Sequence, residues 1–140
     1  MVARHHTKTK GDLGVAKVHA DLVGAGYCVL FPATEHAAFD LAAYRDGRFR
    51  RVQVKYRSMT AGTLTVHFRS VWADRHGTHT APTDKTEVDV LAIYCPDTDA
   101  CYYLQPRAFG QSVTLRLERA KNNQTRGVLW GPDYCSMPPE

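Results

Sequence analysis

The sequence contains no stretch of about eighteen consecutive nonpolar residues, which leaves no candidate for a helical membrane span. The opening MVARHHTKTK is basic and lacks the apolar segment of a secretory signal, so the expectation is a cytoplasmic protein with no membrane partner. Cysteine is scarce. Cys28, Cys95, Cys101 and Cys135 form no Cys-x-x-Cys pair, which argues against a zinc site and for free thiols. Cys28 is expected in a strand core, and Cys95 and Cys101 flank a turn across which they could face each other. Internal repeats and low-complexity segments are missing. Acidic residues are also short, 14 against 18 Lys and Arg, giving a net charge of +4 and a pI near 9.0.

What remains suits one compact domain: 140 residues, 44% of them hydrophobic. The basic residues cluster. Arg45, Arg48, Arg50, Arg51, Lys55 and Arg57 fall in thirteen positions that hold one acid, Asp46. Arg116, Arg119, Lys121 and Arg126 form a second group beside Glu118. Such clusters fit a polyanion, and the plain alternative is a solvated basic face.

Periodicity places the elements. Residues 1–9 read as a flexible basic arm and 10–140 as the domain. Lys10 to Ala25 has helical spacing, with Leu13, Ala16, Ala20 and Val23 as one apolar stripe, widened by Val15, Val18 and Leu22, and Gly26 as a stop. Residues 27–32 read as a buried strand. Residues 38–44 read as a second, with Phe39, Leu41 and Ala43 on one face and Asp40 opposite. Asp46-Gly47 predicts a tight turn into a third strand, 48–56. There Val52, Val54 and Tyr56 take one face and Arg51, Gln53, Lys55 and Arg57 the other. A strand over 63–71, a polar loop over 72–86 that includes His76 and His79, and strands near 88–94, 101–105 and 113–117 complete the pattern. Trp130 and Tyr134 are expected as packing anchors. The order predicts an α/β or α+β sheet domain.

The chemically suggestive feature is Asp40 followed thirteen residues later by Gln53-Val54-Lys55. A carboxylate, an amide oxygen and an ammonium in that order can surround one divalent cation beside a phosphodiester. Magnesium prefers oxygen ligands, which Asp40, Gln53 and the Val54 carbonyl would supply, while Lys55 would orient water or stabilise developing charge. The structural alternative is a strand-end acid bonded to backbone amides next to an ordinary solvent-facing strand.

Further blocks accompany this core in a fixed order: Lys10-Gly11, Gly26-Tyr27, Phe39-Asp40-Leu41, Arg51-Val52-Gln53-Val54-Lys55, Val88-Asp89-Val90, Tyr94-Cys95-Pro96, Tyr102-Tyr103 and Lys121-Asn122-Asn123-Gln124. Together they resemble the PD-(D/E)xK nuclease superfamily, in particular its small branch of bacterial group I intron-encoded homing endonucleases, akin also to Holliday-junction resolvases. The resemblance implies a restriction-endonuclease-like α/β core, a mixed β-sheet flanked by an N-terminal helix, with a crossover helix that this sequence does not display. It implies cleavage of double-stranded or branched DNA with Mg2+, for which Mn2+ would substitute, with Asp40, Gln53 and Lys55 as catalytic residues. Lys10, Arg51, Arg57, Lys121, Asn122, Asn123 and Gln124 are the expected DNA contacts. A homodimer or homotetramer is expected, since one small domain has limited reach along DNA. One departure stands out. Relatives carry a glutamate on the first helix where this chain has Val15. Either Glu35 or Asp12 replaces it, or the chain is a catalytically impaired DNA-binding protein.

Overall fold

The computed structural model describes residues 6–119 and 127–140. One helix, α1 (His6–Gly24), precedes ten strands: β1 (Cys28–Leu30), β2 (Leu41–Arg45), β3 (Arg48–Tyr56), β4 (Thr63–His67), β5 (Arg69–Asp74), β6 (Gly77–Pro82), β7 (Val90–Cys95), β8 (Ala100–Leu104), β9 (Ser112–Arg116) and β10 (Leu129–Trp130). Short 3-10 turns cover Pro106–Ala108 and Gly131–Tyr134. Among the described residues no helix is long and apolar enough to cross a membrane.

The main sheet has the order β1-β2-β3-β7-β8, with β3 and β7 parallel and the other pairs antiparallel. A second sheet, β10-β9-β4, packs on one face, and α1 packs on the other. Residues alternate across the main sheet, so β7 feeds two cores at once. Val90, Ala92 and Tyr94 join Val18, Leu22 and Val52 under the helix. Leu91, Ile93 and Cys95 join Leu64, Val66 and Leu115 under the second sheet. This double burial explains why β7 is uniformly apolar.

Several local features follow from residue chemistry. Gly26, at φ 92°, ends α1 as the sequence suggests: Tyr27 N–H donates to Leu22 O (2.9 Å) and Gly26 N–H to Val23 O (3.0 Å), the paired bonds of a Schellman cap. Asp46 and Gly47 both take positive φ, 55° and 81°, which matches the two-residue turn joining β2 to β3.

Other expectations are corrected. α1 begins at His6, so 6–9 is helix, not arm; residues 1–5 lie outside the described residues. Its buried stripe is Gly14, Val18 and Leu22, whereas Leu13 and Val23 are exposed. Gly14 carries no hydropathy signal, yet there the helix lies close against β3. β1 is an edge strand that exposes Cys28. Cys95 pairs with Ala100 and Tyr94 with Cys101, so the two cysteines occupy different cores and do not face each other. The connection between parallel β3 and β7 contains β4, β5 and β6 instead of a crossover helix. Residues 72–86 are mostly not loop: β5 and β6 form a hairpin through them.

The basic cluster around β3 is dispersed by the fold. Arg45 lies over the Tyr27 ring, 4.1 Å from its centroid. Arg48 bonds Glu140, and Arg50 bonds the Pro138 carbonyl. Arg51 forms a fork on Asp89, with Nε 2.9 Å from Oδ2 and Nη2 3.0 Å from Oδ1, while its own N–H donates to Oδ2 at 2.7 Å. Asp89 N–H returns a bond to Arg51 O (2.9 Å), locking the entrance of the parallel β3–β7 pair.

The Arg51 side chain and backbone hold the Asp89 carboxyl below the usual carboxylate range. A depressed folded pKa supplies stability that is present above the unfolded carboxylate pKa and lost as pH falls through the folded value. Asp89→Ala should therefore lower unfolding free energy by about 1–2 kcal/mol at neutral pH. In urea melts, the deficit relative to wild type should shrink in acid; a deficit that persists unchanged below the carboxylate range would contradict the ion-pair account.

Candidate active site

β3 carries the site because its pleat aims Gln53 and Lys55 away from α1, while Val52 and Val54 pack beneath the helix. Asp40 comes from the bend immediately before β2. Its N–H donates to Val52 O (2.9 Å), tying it to β3 just outside the β2–β3 ladder. Its Oδ2 accepts the Val54 N–H at 2.7 Å. The carboxylate is thereby fixed against the segment that carries Gln53 and Lys55. Desolvation by the surrounding chain raises the Asp40 pKa, opposed by the Val54 N–H and the Lys55 charge.

Lys55 Nζ donates to the carbonyls of His67 (3.0 Å) and Arg69 (2.8 Å). These flank Phe68, the buried residue at which β4 gives way to β5. Burial pushes the Lys55 pKa down to about 8, helped by the Arg57 and Arg69 charges and opposed by Asp40. An ammonium has three donors, so two carbonyls leave one for a ligand. Gln53 Oε1 is buried and has no hydrogen-bond partner among the described residues. An unsatisfied buried oxygen is costly, and a cation or water is the usual remedy.

Gln53, Val54, Lys55 and Arg57 line one open groove of about 630 Å3 together with His67, Arg69, Ser70 and Val71, and α1 contributes Lys10. Lys10 Nζ lies 5.8 Å from the Tyr56 ring centroid, a contact that holds it over the groove. Desolvation and the Arg69 charge lower the Arg57 pKa, which marks a crowded group of cations.

Of the residues singled out in the sequence, Gln53, Val54, Lys55, Arg57 and Lys10 line this groove, whereas Asp40 does not line it and is tied to it through the Val54 N–H. Arg51 does not line the groove, being committed to Asp89. Val15 packs into the core under the helix. Asp12 and Glu35 are exposed and neither lines the groove. Lys121, Asn122, Asn123 and Gln124 lie outside the described residues. Among those described, no three His, Cys, Asp or Glu side chains converge as a metal-binding group, so Asp40 stands as a single carboxylate beside an amide. Arg69 and His67 escaped the sequence reading. They occupy alternating polar positions in the expected 63–71 strand, but only the break at Phe68 brings them to Lys55.

A family model described as PD-(D/E)XK endonuclease matches residues 5–137, nearly the whole chain. The chain belongs to the PD-(D/E)XK endonuclease family. Its restriction-endonuclease-like α/β core is similar to a solved structure described as a bacterial homing endonuclease, I-Ssp6803I, with a TM-score of 0.71 at 22% identity, covering 91% of this chain and 87% of that one. No curated protein matches. Membership makes this chain a member of a family of hydrolytic endonucleases whose name spells an aspartate followed by Asp or Glu, any residue, and Lys.

The groove makes a direct prediction. The Lys55 side chain, followed by 13C NMR of its Cε, should titrate with a midpoint of about 8. Any step that needs its ammonium should weaken as pH rises through that value, because the lowered pKa makes the neutral form dominant above it. A midpoint at the ordinary lysine value of 10.5 would show that the amine is not desolvated.

Proposed function

We propose that the chain is a divalent-metal-dependent endonuclease that hydrolyses phosphodiester bonds in double-stranded DNA in the cytoplasm, with Asp40, Gln53 and Lys55 as its active site. The observation that carries this reading is the fixing of Asp40 to Val54, between an unpartnered amide oxygen on Gln53 and a desolvated ammonium on Lys55. On this reading Asp40 and Lys55 answer to the family pattern, with Gln53 in the place of its second acid.

The donor set suits a hard cation, which takes carboxylate and carbonyl oxygens. Asp40, Gln53 and the Val54 carbonyl are the residues that would hold Mg2+ or Mn2+. When bound, such an ion activates water and offsets charge on the phosphate. Asp40 supplies the negative charge of the protein's ligand set, and Gln53 contributes an oxygen without charge. Lys55, steadied by two carbonyls, directs its remaining N–H toward a phosphate oxygen or the attacking water. Lys10, Arg57 and Arg69 hold the backbone of the nucleic acid, a role that positions the strand without reading its sequence. Cutting both strands of a duplex takes two such sites, so a homodimer or homotetramer is the working assembly. Four-way junctions are the alternative substrate shape.

A second reading has its own support. Val15 is packed in the core, and one carboxylate stands where two would be usual, which favours a catalytically impaired DNA-binding protein.

Plasmid, linear and four-way-junction DNA incubated with Mg2+ or Mn2+ separates the two. Cleavage that falls at least about 100-fold in Asp40→Ala and in Lys55→Ala supports the nuclease. Binding without cutting under both metals supports the impaired protein. With a single anionic ligand, Mg2+ should bind the free protein weakly and tightly only beside DNA phosphate; calorimetry showing tight binding without DNA would contradict this ligand set. Lys10→Ala, Arg57→Ala and Arg69→Ala should each flatten the slope of log affinity against log salt by about 1.

A further inference from the structure

β5 and β6 form a two-stranded ribbon that pairs with neither of the larger sheets. Its register runs from Arg69 opposite Pro82 at the base to Asp74 opposite Gly77 at the tip. Six residues per strand give a length of about 20 Å. Every residue of β5 is exposed. An isolated ribbon is marginal in water, so something must stiffen it. One face does so: the rings of the facing pair Trp72 and His79 stack at 5.5 Å. Asp74 Oδ1 lies 3.0 Å from His79 Nε2 and accepts the His76 N–H at 2.7 Å.

The opposite face has a different composition. By the pairing register it carries Arg69, Val71 and Ala73 from β5 and Thr78 and Thr80 from β6. Val71 is 58% exposed. Arg69 and Val71 also line the groove beside Lys55, so this face continues the floor of the candidate active site.

We infer that this face lies in the major groove of duplex DNA and reads base edges next to the phosphate held at Asp40 and Lys55, an assignment that rests on the nuclease reading for where the duplex sits. Three observations point to DNA. The width fits, because the major groove is about 12 Å across and admits a two-stranded ribbon. The charge fits, with Arg69 at the base and Arg75 past the tip of β5, while the ribbon's acid, Asp74, is engaged by His79. The side chains fit, since threonine hydroxyls bond base edges, and Val71, Ala73 and the threonine methyls suit the thymine methyl. The Trp72–His79–Asp74 face acts as the stiff spine of the reader.

The test is selection from a random duplex pool, once by binding in EDTA and once by cleavage in Mg2+ or Mn2+, with wild type, Val71→Ala and Thr80→Ala. A fourth protein has residues 73–78 replaced by Asn-Gly to shorten the ribbon. Wild type should enrich a sequence motif. Each point variant should lose about tenfold discrimination at two or three adjacent base pairs while keeping the wild-type salt slope. The shortened ribbon should bind with little preference. The assignment is overturned if wild type enriches no motif, or if the variants enrich the same one. It is equally overturned if shortening changes the oligomeric state in sedimentation and leaves preference intact, which would make the ribbon a contact between copies. A motif enriched by binding without any cutting would keep the reader and remove the nuclease; cutting with unaltered preference would do the reverse.

Discussion

The parallel pairing of β3 with β7 sets the position of everything chemical in this protein. Val52, Val54 and Tyr56 register against Val90, Ala92 and Tyr94, and their side chains go to the helix side. Gln53 and Lys55 register against Leu91 and Ile93 and turn toward the second sheet. A slip of one residue would exchange the two sets, burying an ammonium under α1 and exposing valines in the groove. The Arg51–Asp89 fork sits at the entrance of that pair and guards the register. Arg51 thus serves the site from outside the groove, as a fastener of the register.

Charge in this chain is distributed by partner, not by proximity in sequence. Of the six basic residues between positions 45 and 57, four are occupied with Tyr27, Glu140, Pro138 or Asp89. The cations at the groove come from three elements instead: Lys10 on α1, Lys55 and Arg57 at the end of β3, and Arg69 at the start of β5. Crowding them lowers the pKa of Lys55 and Arg57 and leaves a local excess of positive potential. A polyanion relieves that repulsion, which couples its binding to the protonation of Lys55.

The elements that could be read from the sequence are those with unambiguous period or turn chemistry. The two-fold alternation of β3, the Asp46-Gly47 turn and the Gly26 cap are local, and each stands where its residues indicate. Part of the candidate site is legible for the same reason: Gln53 and Lys55 share a face through pleating alone. The helix stripe is not legible in the sequence because burial there depends on Gly14, which has no side chain to reveal it. The β5–β6 hairpin has the sequence pattern of a loop because it has no buried face to impose alternation; its strands are held by cross-strand pairs such as Trp72 with His79. The roles of Arg51 and Arg69 depend on contacts with Asp89 and Lys55, 38 and 14 residues away, which no local pattern encodes.

α1 lies close against β3 at Gly14, where an added Cβ would sit 3.5 Å from Val54 Cγ1 and 3.7 Å from Tyr56 Cβ. A single methyl would sit there in ordinary van der Waals contact. Lys10 projects from the same helix one turn earlier and over Tyr56, so the gap also fixes how far this cation stands from the mouth of the groove. A position with no chemistry of its own therefore acts as a spacer: bulk at residue 14 would press on Val54 and Tyr56 and displace the helix that carries Lys10.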